Sequence, residues 1–335
     1  MDNLNGYKAF EPGMICKGKQ YQENTDYEEE GGEICEKGMM HYCVNPFEVL
    51  NFYPLVNDSG KVSDFAAVKS LEEPVSGDNG KFATKKLHIG VKLGLPGFVK
   101  ACIDYLKEET IVNAPNSTVS SGDSAQIGSS GNYAQIVSSG NYAQIVSSGD
   151  SAQIGSSGDS AQIGSSGYYA KIGSSGYYAK IGSSGNYAQI GSSGDSAQIG
   201  SSGNCAQIGS SGYYAQIGSS GDSAQIGSSG NYAQIVSSGD SAQIGSSGDS
   251  AQIGSSGYYA KIESAGEDSV ICCAGHGSAV NAKAGSWITL AEWEYSEAKN
   301  GCVPKCVKTE YVDGERIKAD TWYKLIDGEF TEVSP

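Results

Sequence analysis

From residue 120 to residue 263 the chain repeats itself every nine residues, sixteen times without a gap. The unit reads Ser-Ser-Gly-x-x-Ala-(Gln/Lys)-Ile-(Gly/Val), positions one to nine, and only the last unit ends otherwise, on Glu263. A fixed short period is the signature of a stacked architecture and outranks residue-by-residue propensity. Within a unit Ala and Ile stand two apart with Gln or Lys between them, the alternation of a strand with one buried face. Ser-Ser-Gly is the predicted turn, its glycine expected to supply positive φ. Positions four and five change together: Asp-Ser in seven units, Asn-Tyr in four, Tyr-Tyr in four, and Asn204-Cys205 once.

One unit cannot stand alone. Burying its Ile contributes roughly 2 kcal/mol, while ordering nine backbone residues costs several times as much. Stacking supplies the rest, by pairing every strand and joining the Ala/Ile faces into one core. The predicted fold class is therefore mainly β, with a central β-solenoid. Two units per coil make a two-sided coil of 18 residues, and three make a three-sided coil of 27. Alanine at an inward position leaves little volume to fill and favours the thinner form. Eight such coils, at about 4.8 Å each, span about 38 Å. In this frame Ile190 faces the core, and Gln189 is expected to face solvent.

The unit resembles the calcium-binding nonapeptide of bacterial toxin β-rolls, Gly-Gly-x-Gly-x-Asp-x-(apolar)-x. Here the sixth position is alanine throughout, as at Ala125, Ala152 and Ala161, and the acids at Asp123 and Asp150 lie two places earlier. Calcium takes six to eight oxygens from a dense carboxylate set, which nine of the sixteen units cannot offer. A metal-free coil is expected, with no cofactor.

The flanks differ in kind. Residues 1–119 have globular composition and predict a small N-terminal α+β domain. Residues 6–10 and 87–93 read as strands, residues 46–53 as a short helix opened by Asn45, and residues 96–109 as a second helix with Phe98, Ala101, Cys102 and Leu106 on one face. Glu28, Glu29 and Glu30 read as a solvated acidic loop. After residue 263 the repeat decays through two poorer units, so the solenoid is drawn over 120–281 and a C-terminal β cap over 282–335. Trp287 opens a bulky strand suited to covering the rod's end. Hairpin turns are predicted at Asp313-Gly314 and Asp327-Gly328.

The segments Cys35-Glu36-Lys37-Gly38-Met39-Met40-His41-Tyr42-Cys43 with Asn45-Pro46, Gly285-Ser286-Trp287-Ile288-Thr289-Leu290, and the tail from Val312 to Leu325 resemble an uncharacterised family of bacteriophage and prophage proteins. In that family serine-glycine repeats separate the same two ends. The resemblance implies a phage-type protein in the cytoplasm of a bacterial host cell, or one associated with the virion. It carries no activity.

Charge narrows the function classes. The net charge is −16 and Arg316 is the single arginine, which opposes a phosphate-binding groove. No stretch approaches the roughly 20 apolar residues of a membrane span, and the N-terminus lacks a signal-peptide pattern. Nine irregularly spaced cysteines read as reduced thiols rather than a disulfide framework. His41-Tyr42-Cys43 resembles the second motif of ADP-ribosyltransferase-like folds, but residues 7–10 hold no Arg or His and no late glutamate pair other than Glu72-Glu73 fits the pattern. Cys43 beside His41 is a thiol–imidazole pair by spacing alone. Cys272, Cys273, His276, Cys302 and Cys306 do not match the Cys-x-x-Cys spacing of structural zinc.

The expected function is non-enzymatic: a phage-type interaction protein in which a rigid solenoid scaffold presents a binding domain to a host or phage protein. Tyr168, Tyr169, Tyr177, Tyr178, Tyr187, Tyr213, Tyr214 and Tyr232 are the candidate partner-binding surface, with aromatics beside Gln and Lys. Alternatives are an acidic DNA-mimicking or defence-blocking inhibitor and a degenerate ADP-ribosyltransferase-like enzyme. The first is weakened because 120–263 carries net −5, against −6 for 1–119 and −5 for the much shorter 264–335.

Overall fold

A computed structural model describes residues 5–30, 38–57, 60–77, 80–112 and 117–334, with backbone alone for 106–112. The repeat forms four-residue strands at nine-residue intervals, such as Gln126–Ser129 and Gln135–Ser138, which fall alternately into two parallel sheets. Each strand pairs in register with the strand 18 residues on, Ile154 beside Ile172 and Ile163 beside Ile181. The coil is two-sided with 18 residues per turn, the form that an alanine-lined interior favours. Ser117–Ser120 extends the rod before the repeat, and Val270–Cys273, Ala279–Ala282 and Trp287–Ser296 extend it afterwards, so each sheet holds ten parallel strands. The rod is about 48 Å long.

The turn works differently from the sequence expectation. The first serine closes the strand and points inward, as at the buried Ser156 and Ser192, and the hydroxyls of both lack a partner among the described residues. The position-three glycines do not take positive φ. They are small because the coils touch there: a Cβ on Gly140 would collide with the carbonyl of Gly122, one coil earlier. Left-handed backbone falls instead on position five, with φ between 54° and 59° in all sixteen units, even where that residue is tyrosine. Stacking holds this conformation. The position-five N–H donates to the position-four carbonyl of the next coil, Tyr133 N to Asp150 O at 2.8 Å. Where position four is Asp or Asn, its Oδ1 accepts the N–H of its counterpart one coil on, as from Asn141 to Asp123 at 2.9 Å. The repeat acids therefore serve a backbone ladder.

At the C-terminal end, Trp287–Ser296 pairs antiparallel with Gly301–Tyr311 through a turn at Glu297–Lys299. Asp313-Gly314 does not make the predicted hairpin: the chain there crosses between sheets, because Thr321–Ile326 pairs with Ala279–Ala282. Asp313 Oδ1 accepts the N–H groups of Glu315, Arg316 and Ile317, which fixes the crossing. Asp327-Gly328 does form a hairpin, with both residues at positive φ.

The N-terminal domain is a seven-stranded antiparallel sheet in the order 25–28, 86–92, 64–70, 5–10, 40–43, 81–84, 75–76. The predicted strands are Asn5–Phe10 and Lys86–Lys92. The first predicted helix is a 3-10 segment, Pro46–Asn51, capped by Asn45, whose Oδ1 accepts the Phe47 N–H at 2.9 Å. The second is the α-helix Gly94–Val112. Phe98 and Cys102 are buried and Ala101 is half-buried; Leu106 lies outside the described side chains, as Cys35, Glu36 and Lys37 lie outside the described residues. Phe98 stacks on Phe65 with ring centres 3.8 Å apart. Glu28 ends a strand rather than lying in a loop.

The domain does not project from the end of the rod. It lies lengthwise on the sheet that contains Gln135–Ser138, with the helix between the two sheets. Leu95 and Val99 sit over Gly191, Leu55 over Gly209, Val62 over Gly227 and Gly60 over Gly245. Gln207 Oε1 accepts the Leu55 N–H at 2.9 Å, and Lys61 pairs with Glu263 at 2.7 Å. Contacts run from Val137 to Glu263, eight strands or about 34 Å. Gln189 points out of the core but lies in this covered sheet, half-buried rather than in solvent.

Candidate functional site

The eight singled-out tyrosines are all exposed, but they form two rows. Turns 18 residues apart stack on one edge of the rod, and the alternate turns stack on the opposite edge. Tyr168, Tyr169 and Tyr187 share one edge, where the rings of Tyr169 and Tyr187 stack 5.2 Å apart. Tyr177, Tyr178, Tyr213, Tyr214 and Tyr232 share the other, where Tyr214 and Tyr232 stack 5.1 Å apart. The two edges border the sheet that the N-terminal domain leaves uncovered.

That open sheet and the covered sheet are built from the same unit, and departures from the unit separate them. On the covered sheet Val137 and Glu263 replace glycine at position nine, and Lys171 and Lys261 replace glutamine at position seven. Val137, Lys171 and Glu263 touch the domain, and Lys261 is exposed. Val137 is 0 % exposed within the domain's core. Lys171 Nζ donates to Phe47 O at 2.9 Å and to Asn51 Oδ1 at 3.1 Å. Glu263 holds Lys61. The open sheet has its own departures, Val146, Lys180 and Val236, and these face outward: the valines are 61 % and 60 % exposed. Between them runs a shallow trough floored by Gly164, Gly182, Gly200 and Gly218 and lined by glutamines.

A second cluster lies inside the N-terminal domain. The strand Asn5–Phe10 pairs over its whole length with Asp64–Ser70, and with Met40–Cys43 through the one pair Tyr7 and Cys43. Beyond that pair the sheet splays. Lys8 fills part of the gap, 6 % exposed, its Nζ donating to His41 O at 2.8 Å and lying 5.6 Å from the centre of the Phe10 ring. Burial lowers the Lys8 pKa. His41 is pushed down to about 4, by burial first and then by Lys81, Lys8 and Lys17. Cys43 is pushed up to about 12 by burial, with Glu48 adding to it. A thiol so shifted is the reverse of an activated nucleophile. Cys16 Sγ and Tyr53 Oη are hydrogen-bonded at 3.0 Å on the cavity wall. Glu72 lies elsewhere, accepting the Lys85 N–H at 2.6 Å and the Thr84 hydroxyl at 3.1 Å.

The late cysteines and His276 do not converge. Cys273 is buried in the rod core while Cys272, its neighbour on the same strand, faces outward; His276 packs against Tyr258 and Tyr259. Among the described residues no group of three His, Cys, Asp or Glu side chains is arranged to hold a metal, and the eight cysteines are free thiols.

The sheet, the 3-10 segment and the first half of the helix define a recognisable domain. Residues 4–101 match the family model of a domain of unknown function, DUF7666. No curated protein and no solved structure matches the chain. Sequence reasoning missed Lys8, a lysine inside an apolar strand, and missed that the broken repeat positions mark an interface. The departures were visible in the repeat; which sheet each belonged to was not.

Proposed function

We propose that the protein is a non-enzymatic interaction protein of the bacteriophage type, in which the solenoid seats the DUF7666 domain on one sheet and offers the other sheet to a protein partner of the host or phage. The observation that carries this reading is the fate of the departures. On the covered sheet Val137, Lys171 and Glu263 are used for docking, with Lys261 exposed beside them, and on the open sheet Val146, Lys180 and Val236 face outward in the same positions of the unit. Tyrosine rows border the open sheet on both sides, and tyrosine is enriched in interfaces because it joins a large apolar area to a polar tip. The trough between the valines is backbone and glutamine, a surface for edge contacts and side-chain amides rather than for phosphate-like charge. This favours a protein partner over DNA mimicry.

The test is to restore the repeat. A variant with Val146→Gly, Lys180→Gln and Val236→Gly should fold as the wild type does and lose capture of its partner from lysate of the source cells. Replacing Tyr213 and Tyr214 by the Asp-Ser cassette should weaken capture to a lesser degree. Full capture by the restored variant, with loss only when the N-terminal domain is altered, would move the binding surface to that domain.

A further inference from the structure

The splayed end of the N-terminal sheet encloses a cavity of about 240 Å³ between the first strand, the hairpin at Cys16 and Lys17, the strand Met40–Cys43 and the residues just after the 3-10 segment. Its lining has two properties that bear on a ligand. The protein carries a net charge of −16, yet among the described residues the ionisable lining groups include Lys8, Lys17 and Lys81 and no carboxylate. The remaining wall is aromatic, with Tyr7, Phe52 and Tyr53, and Lys81 Nζ stands 5.3 Å from the centre of the Phe52 ring.

We propose that this cavity binds a small anion carrying a single aromatic ring, its phosphate or carboxylate held by Lys8, Lys17 and Lys81 and its ring packed among Tyr7, Phe52 and Tyr53. Size selects one ring, because pockets for drug-sized ligands begin at about 300 Å³. Charge selects an anion. Lys8 is buried with a backbone carbonyl, the Cys16 thiol and ring faces as partners and has no carboxylate partner among the described residues. A buried ammonium without a counter-charge is costly, and its pKa is lowered accordingly. An anion entering beside it would remove that cost. The three lysines come from three separate segments of the chain and line the one cavity. Flat aromatic walls bind a planar ring by stacking and edge contact.

The probes are phenyl phosphate and benzoate, titrated by calorimetry into the full chain, with benzyl alcohol and inorganic phosphate as half-ligands. At least one ring anion should bind with Kd below about 1 mM, and about tenfold or more tighter than either half-ligand. Lys8→Met, and separately Lys17→Gln with Lys81→Gln, should each weaken binding by about tenfold, with circular dichroism unchanged. The second variant, at the exposed Lys17 and the half-buried Lys81, keeps the test informative if Lys8→Met unfolds the domain. Equal binding of benzyl alcohol would reduce the cavity to an apolar crevice, and equal binding of inorganic phosphate to a patch of cations. Either result overturns the proposal, as does affinity unchanged in the lysine variants or no heat with either ring anion up to about 10 mM.

Discussion

Two sheets of the same rod, built from the same nine residues, have different fates. On the covered sheet two position-nine glycines leave no room for a side chain: a Cβ on Gly227 would come within 2.9 Å of Val62, and one on Gly245 would collide with the backbone of Gly60. On the open sheet Gly182, Gly200, Gly218 and Gly254 have nothing within 4 Å of the same point. A residue type can thus be steric necessity in one strand and a bare copy of it in the next. The repeat tells what the core needs, and the neighbour across the sheet tells which outward positions are constrained.

The largest expected effect comes from changing the rod's length under the domain. Removing residues 183–200 takes out one whole coil and leaves every core contact type in place, so by the additivity of stacked repeats it should be mild. The docked domain changes that expectation. Lys171 and Glu263 would come about 4.8 Å closer, and the domain could not hold both while also meeting Gln207 and Gly245. Chemical denaturation should show a loss of several kcal/mol, and limited proteolysis should show a domain cut faster than in the wild type. Wild-type stability in the shortened rod would mean that the lengthwise docking is not held in solution.

Single glycines give the sharper contrast. Gly245→Ala should cost about 2 kcal/mol or more through backbone collision, whereas Gly254→Ala, one strand later on the open sheet, should be neutral or slightly stabilising. Equal costs, measured as melting midpoints, would remove the distinction between the sheets.

The lysines come next. Lys171→Gln should cost about 1–3 kcal/mol through its lost bonds to the 3-10 segment, and Lys180→Gln less than about 0.5 kcal/mol. Burial holds the Lys171 pKa below its ordinary 10.5, with Glu48 opposing the shift. The unfolded chain therefore binds this proton more tightly than the folded one, and stability from this site rises with pH through the window below 10.5. The wild type should gain on Lys171→Gln as pH rises toward that value; a constant difference across the range would leave the site uncoupled to folding.

The smallest effect lies inside the rod, where the two sheets should behave alike. Ser192 is buried and its hydroxyl has no partner among the described residues, so Ser192→Ala should change stability by less than about 1 kcal/mol, in the stabilising direction. Ser183, on the open side, should give the same result. A marked loss at either would reveal a hydrogen bond to the serine ladder.

Much of the architecture was legible without coordinates. Alternation of Ala, Gln and Ile assigned the inward and outward positions, and unbroken phase assigned the stack, because both follow from strand geometry that each unit carries within itself. Trp287 and Asp327-Gly328 were likewise local signals for a closing strand and a tight hairpin. The turn was misread where neighbours decide it. Left-handed tyrosines and collision-limited glycines depend on the coil above and below. Asp313-Gly314 failed as a hairpin because the strand after it pairs in the other sheet.

The candidate sites divide along the same line. The exposed tyrosines follow from the repeat, but their separation onto two edges needs the two-sided coil. Lys8 inside an apolar strand is a sequence anomaly whose meaning appears only when the sheet splays beside His41. The sequence by itself determined the rod, its period, its core and its stacking, since these rest on contacts between copies of one unit. Only the tertiary structure decided that the N-terminal domain lies along one sheet and leaves the other open. That choice rests on Val137, Lys171 and Glu263 meeting apolar tips, carbonyls and a lysine far away in the chain, and contacts between such distant segments leave no periodic trace in the sequence.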